Sequence, residues 1–259
     1  MPRVDYDRIA ALYDERLRDH ALDRDLVDLL EARRAAVSTP ARVLDIGCGT
    51  GKQIAVDREQ LTGVHFVGVD RSAAMLRIAR SRCPGAAWVR ADGARLPFAA
   101  STFDYACSQF SYHHIGRTRR LLAEAFRVLR PNGRFSMTNI DPWGMRGWLV
   151  YRYFPEAFEA DERDFHAVDD FVAWMRHAGF DDVRVRRTDL SKVERLGAFL
   201  SYASARHRAS QLMTISDAAY AAGLRCLEHA VAREGDVEVA SPFVLVTVTG
   251  DKAAVSGAP

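Results

Sequence analysis

The stretch LDIGCGTG, residues 44–51, sets three glycines at alternate positions behind an apolar run that ends in Asp45. Glycine at this density marks a backbone that turns sharply or lets something come close to it. A second carboxylate, Asp70, ends VHFVGVD, and a third, Asp92, stands in RADGARLPF. A carboxylate at such a place can accept hydrogen bonds from a ribose diol or from the amino group of a base. Two adjacent imidazoles, His113 and His114, follow the segment STFDYACSQF. Imidazole titrates near neutrality, so either could act as a general base; the other reading of the pair is structural, through packing or hydrogen bonds.

The glycine spacing separates the possible ribose-bearing ligands. The dinucleotide fingerprint is G-x-G-x-x-G, which makes room for a pyrophosphate. Gly47, Gly49 and Gly51 follow G-x-G-x-G, with Asp45 just upstream. A carboxylate there repels a pyrophosphate and favours a ligand that carries an ammonium and a sulfonium. A nicotinamide oxidoreductase is the weaker reading for that reason.

The elements that must hold these residues are legible in the hydrophobic pattern. ARVLDI, VHFVGVD, AAWVRAD and the middle of STFDYACSQF read as strands, three of them ending at a candidate ligand residue. KQIAVDREQL between the first two reads as a weak, charged helix, and RSAAMLRIARSRC as a helix with Ser72 as its N-cap. RTRRLLAEAFRVLR is amphipathic, PNG turns into a strand RFSMTNI, DDFVAWMRHAGF is a helix stopped by Gly179, and VRVRRTD and PFVLVTVTG complete the strands. The first 36 residues and 191–233 read as helical. Strands alternating with helices give a parallel α/β sheet covered on both faces, and such sheets bind ligands beyond the carboxyl ends of their strands.

VLDIGCGTG, VGVDRS, RADGARLPF, FDYACSQFSYHHI and AFRVLRPNGRF stand in the order and spacing of the class I S-adenosylmethionine-dependent methyltransferases. The chain resembles their small-molecule branch, which includes the ubiquinone/menaquinone-type (type 11) enzymes. The resemblance covers 5–140 well and 166–188 less closely. It implies a Rossmann-like seven-stranded sheet of order 3-2-1-4-5-7-6 with the last strand antiparallel and with helical lid insertions. It implies S-adenosyl-L-methionine as cofactor and S-adenosyl-L-homocysteine as product. Asp45 and the backbone of Gly47, Cys48, Gly49 and Gly51 would hold the methionine end. Asp70 would take the ribose hydroxyls, Arg71 would lie along the adenine, and Asp92 with Gly93 would take its amino group. Ser108, Gln109 and Phe110 would line the sulfonium side. The charged KQIAVDREQ departs from the apolar helix that usually follows the loop.

The expected domain plan is one methyltransferase domain over 1–259. Within it, 1–36 is an N-terminal flap bearing Tyr6 and Tyr13, 37–140 the cofactor core, and 141–166 and 191–240 substrate-lid insertions. The first insertion is dense in aromatic residues, which suits an apolar or aromatic acceptor; the other reading is a satellite core. Tyr13, His113, Trp143, Trp148 and Tyr151 are the candidate acceptor contacts. Hydrophobic residues are 48% of the 259, enough for a sizeable core, and the formal net charge of +2 argues against a nucleic-acid partner. No apolar run spans a bilayer, and the charged start of the chain is no signal peptide. Four scattered cysteines without a CxxC pair fit reduced thiols in the cytoplasm rather than a metal site or a disulfide frame. The expected protein is a cytoplasmic monomer or homodimer that methylates a small molecule, the alternative being a cofactor-binding regulator or scaffold without turnover.

Overall fold

The computed structural model describes residues 5–14, 20–34 and 39–254. In chain order these form α1 (Tyr6–Asp14), α2 (Arg24–Arg34), β1 (Ala41–Ile46), α3 (Lys52–Gln60), β2 (Val64–Asp70), α4 (Ala73–Arg82), β3 (Ala87–Arg90), β4 (Phe103–Gln109), α5 (Tyr112–Ile115), α6 (Thr118–Val128) and β5 (Leu129–Ile140). Then come α7 (Leu149–Tyr153), α8 (Pro155–Asp164), α9 (Val168–His177), β6 (Asp181–Asp189), β7 (Lys192–Arg195), α10 (Leu196–Ser204), α11 (Ser210–Thr214), α12 (Asp217–Glu234), β8 (Glu238–Ser241) and β9 (Val244–Asp251).

Seven strands join in the order β3-β2-β1-β4-β5-β9-β6, with the last strand of the chain antiparallel. This is the expected order, with β9 in the place of the seventh strand. β1 lies centrally, in parallel register with β2 (Asp45 beside Gly68) and with β4 (Asp45 beside Cys107). The centre of the sheet is buried on both faces, so β1 and β4 are buried along nearly their whole length rather than at alternate positions. One face carries Leu26, Leu29, Val43, Ile54, Phe66, Leu76 and Tyr105 as a single packed cluster. α6 closes another part of the core with Leu121, Leu122 and Ala125, all at 0% exposure.

Two readings of the pattern change. PNG does not separate a helix from a strand: β5 already begins at Leu129 and runs through it, with Asn132 in the left-handed region (φ 63) and its N–H donated to the Lys252 carbonyl. The stretch 191–233, expected to be helical, is not so from its start, and the whole of 191–240 is framed by short strands. It opens and closes with an antiparallel pair, β7 and β8, in which Val193 faces Ala240. The first 36 residues divide into α1 and α2, with the remainder outside the described residues apart from 20–23 and Asp5.

The chain falls into two compact units. The larger comprises Tyr6–Asn139, Ala167–Arg186 and the chain from Thr247. The smaller comprises Ile140–His166 and Arg187–Val246, so both expected insertions, 141–166 and 191–240, lie in it. Its core is aromatic and aliphatic, with Leu149, Val150, Phe154, Phe199, Leu212 and Leu227 at no more than 2% exposure. Phe154 stacks on Tyr220 at 5.9 Å, and Gly223 admits it: a Cβ there would lie 2.2 Å from the ring.

Candidate cofactor and methyl-transfer site

All the groups of the glycine-loop site belong to the larger unit. The loop after β1 makes its turn with Gly47, Gly49 and Gly51, all at positive φ. Gly47 (φ 80) is closed off by protein: a Cβ would sit 2.5 Å from Ser111 Cβ. Gly49 (φ 53) is the opposite case, since a Cβ there would meet nothing within 4 Å. The protein itself therefore crowds the loop at Gly47 and leaves it open at Gly49, which is where a ligand can lie against the backbone. The N–H groups of Gly47 and Cys48 both donate to the Val69 carbonyl, so the loop is fixed to the end of β2.

Asp70 braces the same arrangement. Its Oδ2 accepts from Gly49 N–H at 2.9 Å and its Oδ1 from Ser72 N–H at 2.9 Å. Ser72 caps α4 as its sequence suggests, its hydroxyl oxygen accepting from Met75 N–H. Burial raises the Asp70 carboxyl, partly offset by those two backbone donors. Arg71 beside it is exposed and offers its carbonyl to Arg90. Asp92 is exposed and ties its own turn, accepting from Ala94 N–H at 2.9 Å, with Arg117 3.5 Å from its other oxygen. Gly93 is buried, and a Cβ there would strike Ile46 and Ile115, each at 2.8 Å. Ser108 is fully buried, its hydroxyl 2.7 Å from that of Ser111, which donates to the Ile46 carbonyl. Only its backbone remains to meet a ligand. Next along, Phe110 holds φ 53, an uncommon conformation for a bulky side chain, at the end of β4.

Behind the loop lies a polar cluster that the sequence pattern did not reveal. Asp45 is 4% exposed, bonded to the Cys107 thiol beside it in register, and burial with the fields of Asp57, Asp70 and Asp23 pushes it up to about 8. Asp57, on α3, is pushed up to about 7, chiefly by burial. It accepts from Gln53 Nε2 at 2.9 Å and from the backbone N–H of Asp23 at 3.0 Å. Asp23 in turn accepts from the Tyr105 hydroxyl at 2.8 Å and Gln109 Nε2 at 3.3 Å. His20 Nδ1 donates to Gln53 Oε1 at 3.1 Å. The charged helix KQIAVDREQ was the available signal: its buried positions include Gln53 and Asp57 because what it packs against is polar.

The histidine pair sits on α5. Its rings lie 3.8 Å apart, tilted by 49°. His113 Nδ1 accepts from the Asn139 amide at 2.9 Å, which leaves the proton of the neutral ring on Nε2. His114 Nε2 meets the Tyr6 hydroxyl at 2.6 Å. Asp7, next to Tyr6, accepts from the Ser72 hydroxyl at 2.6 Å and from Ala74 N–H at 3.0 Å. Consecutive residues of α1 thus reach the start of α4 and the imidazole pair.

The aromatic candidates lie elsewhere. Tyr151 is 4% exposed in the core of the smaller unit, its hydroxyl donating to Asp161 at 2.7 Å, and burial pushes that acid up to about 6. Trp148, half-buried, packs edge-on to Tyr151 at 5.0 Å and to Phe243 at 5.4 Å. Trp143 is half-buried in a short 3-10 turn. The Tyr13 side chain lies outside the described residues. An open cleft of about 320 Å3, lined in part by Leu22, Leu30, Pro40 and Leu61, lies at the amino ends of β1 and β2, away from the glycine loop. Among the described residues no group of three or more His, Cys, Asp or Glu could hold a metal ion, and no helix is long and apolar enough to cross a membrane.

Residues 44–137 match the family described as a methyltransferase domain. The chain is 31% identical over 183 residues to the demethylmenaquinone methyltransferase of Thermus thermophilus, covering 58% of this chain and 81% of that one. It is 29% identical over 211 residues to the enzyme of the same name from Renibacterium salmoninarum, covering 70% and 86%. In three dimensions it matches the phosphoethanolamine N-methyltransferase 2 of Haemonchus contortus, solved with S-adenosyl-L-methionine, at a TM-score of 0.59 and 20% identity, over 95% of this chain and 57% of that one.

Proposed function

This chain belongs to the class I S-adenosylmethionine-dependent methyltransferases, and on that footing we propose that it methylates a small apolar or aromatic acceptor at the carboxyl ends of β1, β2 and β4. The observation that carries the placement is the open face of Gly49 between Asp45 and Asp70. S-adenosylmethionine brings a methyl group on a sulfonium that is already activated toward displacement.

The chain supplies binding, orientation and a place for a proton. Asp45 and the backbone of Gly47, Cys48, Gly49 and Gly51 would hold the cationic methionine end. Asp70 would take the ribose hydroxyls while keeping its grip on the loop, Arg71 would flank the adenine, and Asp92 with Gly93 would meet its amino group. Ser108 would contribute through its backbone. His114, held by Tyr6, would accept the proton of an acceptor that must lose one, and His113, held by Asn139, would fix the second ring beside it. Orientation of this kind can account for roughly 7–11 kcal/mol of barrier.

In this reading 37–140 is the cofactor core, 1–36 a flap, and 141–166 with 191–240 the determinants of acceptor choice, through Trp143 and Trp148 more than Tyr151, whose hydroxyl is engaged. Tyr13 is kept as a candidate. Relatives named for demethylmenaquinone support an apolar aromatic acceptor. The free, buried Cys48, Cys83 and Cys107 support a reducing cytoplasm, with the protein working as a monomer or homodimer. The test is a panel of quinols, phenols and polar amines incubated with the protein and S-adenosylmethionine, read by mass spectrometry. Methylation of the aromatic members supports the reading, and turnover confined to polar amines overturns it.

A further inference from the structure

Four carboxylates crowd the inner side of the glycine loop. Asp45 on β1 is faced by Asp57 from α3, Asp70 from β2, Asp23 from the segment before α2, Cys107 from β4 and Cys48 from the loop. Around these stand Tyr105, Gln53 and Gln109 as neutral donors, His20 on Gln53, and Asp25 beside Asp23. Among the described residues, Arg71 lies beside Asp70, Arg186 pairs with Asp25, and Arg82 donates to the Thr50 carbonyl of the loop. None of the four acids forms an ion pair among the described residues, and the hydrogen bonds of Asp23 and Asp57 come from neutral groups.

Three buried carboxylates, Asp23, Asp45 and Asp57, with the half-buried Asp70 beside them and no ion pair among the three, are not sustainable as anions, so protons must stand in when nothing else does. The cofactor of this family carries two cationic groups at its methionine end, an ammonium and the sulfonium, and its product keeps only the ammonium. We propose that Asp57 and Asp23 extend the cofactor site as a second acidic layer behind Asp45, and that this cluster exchanges a proton for the cationic end of S-adenosylmethionine. The inference rests on the placement of the methionine end at the glycine loop given above. The proton belongs to the coupled cluster, with Asp45 and Asp57, both raised, its main holders. Two consequences follow from charge alone. Cofactor affinity rises with pH until the cluster is ionised, and the preference for cofactor over product grows over the same range.

The experiment is calorimetric titration of the whole protein with S-adenosylmethionine and with S-adenosylhomocysteine from pH 6 to 9, each in phosphate and in Tris, whose ionisation heats differ. At pH 7 the expected result is release of about one proton per cofactor bound, with affinity improving by up to about tenfold per pH unit to about pH 8, above which the ligand's own α-ammonium, ordinarily about 8, loses its proton and the gain ends. Asp57→Asn keeps an oxygen for Gln53 and the Asp23 N–H, so it should fold; it should reduce the proton release and narrow the preference for cofactor over product. His20→Gln should leave both in place. Cofactor binding that is flat across pH, with the same heat in both buffers, would overturn the proposal while leaving the site intact. Loss of the pH dependence in His20→Gln, with Asp57→Asn unchanged, would overturn it too. Failure of either ligand to bind at any pH would overturn the site placement itself, and the proposal with it.

Discussion

Around Asp45 the site is acidic, buried and rigidly hydrogen-bonded, while around His114 it is neutral, half-buried and made of rings. The first region draws on β1, β2, β4 and α3 and holds its acids against one another. The second draws on α1, α5 and β5: the Tyr6 hydroxyl meets His114 Nε2, and the Asn139 amide donates to His113 Nδ1. On the proposed reading the contrast separates two tasks that one reaction needs. A cationic cofactor is held by charge, which tolerates some slack in geometry. An acceptor atom is held by shape and by one proton position, which does not.

The largest effect should come from breaking the acidic side. Asp70→Ala leaves Gly49 N–H and Ser72 N–H without their acceptor. Cofactor affinity should fall at least ~100-fold and the protein should lose about 2–3 kcal/mol of stability, read by calorimetry and by urea unfolding. Next comes the imidazole side. His114→Ala should lower kcat by about 100-fold, while the Kd for S-adenosylmethionine moves by less than about threefold, a split that a purely structural histidine would not give. Tyr6→Phe, which removes one hydroxyl from the same nitrogen, should cost about tenfold in kcat and shift the pH–rate profile.

The pH dependence of stability sharpens the contrast further. Asp45 and Asp57 have folded pKa values of about 8 and about 7, above their ordinary range. They contribute most to stability below about pH 4, and that contribution is lost as pH rises through their folded values. The Tm of the cofactor-free protein should therefore fall between pH 6 and 9, and Asp45→Asn should flatten the fall. Asp7 and Glu124, held low by their partners, titrate below that window. The smallest effect belongs to the other unit. Tyr151→Phe should cost about 1 kcal/mol by depriving Asp161 of a donor, with cofactor affinity unchanged.

Much of the geometry around the glycine loop is legible in the chain because it is local. The loop, Asp45, Asp70 and the Ser72 cap are set by residues within a few positions of strand ends, and apolar runs mark those ends. The sheet order was legible through the same ordered segments. What escaped is what the fold assembles from afar. Asp23 meets Asp57 and Tyr105 across 34 and 82 positions, and Asn139 reaches His113 across 26, distances at which periodicity is silent. The β7–β8 pair escaped because four-residue strands flanking helices carry too little alternation to register. Tyr151 shows the other limit: a ring in an aromatic-rich insertion looks the same in sequence whether it meets a ligand or, as here, a buried aspartate.

The central claim is that S-adenosylmethionine lies against the backbone at Gly49, between Asp45 and Asp70. Amide hydrogen exchange followed by mass spectrometry, with and without S-adenosylmethionine, tests it most directly. Exchange in peptides spanning 45–51 and 70–74 should slow by at least about tenfold on binding, with peptides from 196–204 and 217–234 unchanged. Protection confined to other parts of the chain, with 45–51 exchanging as before, would contradict it.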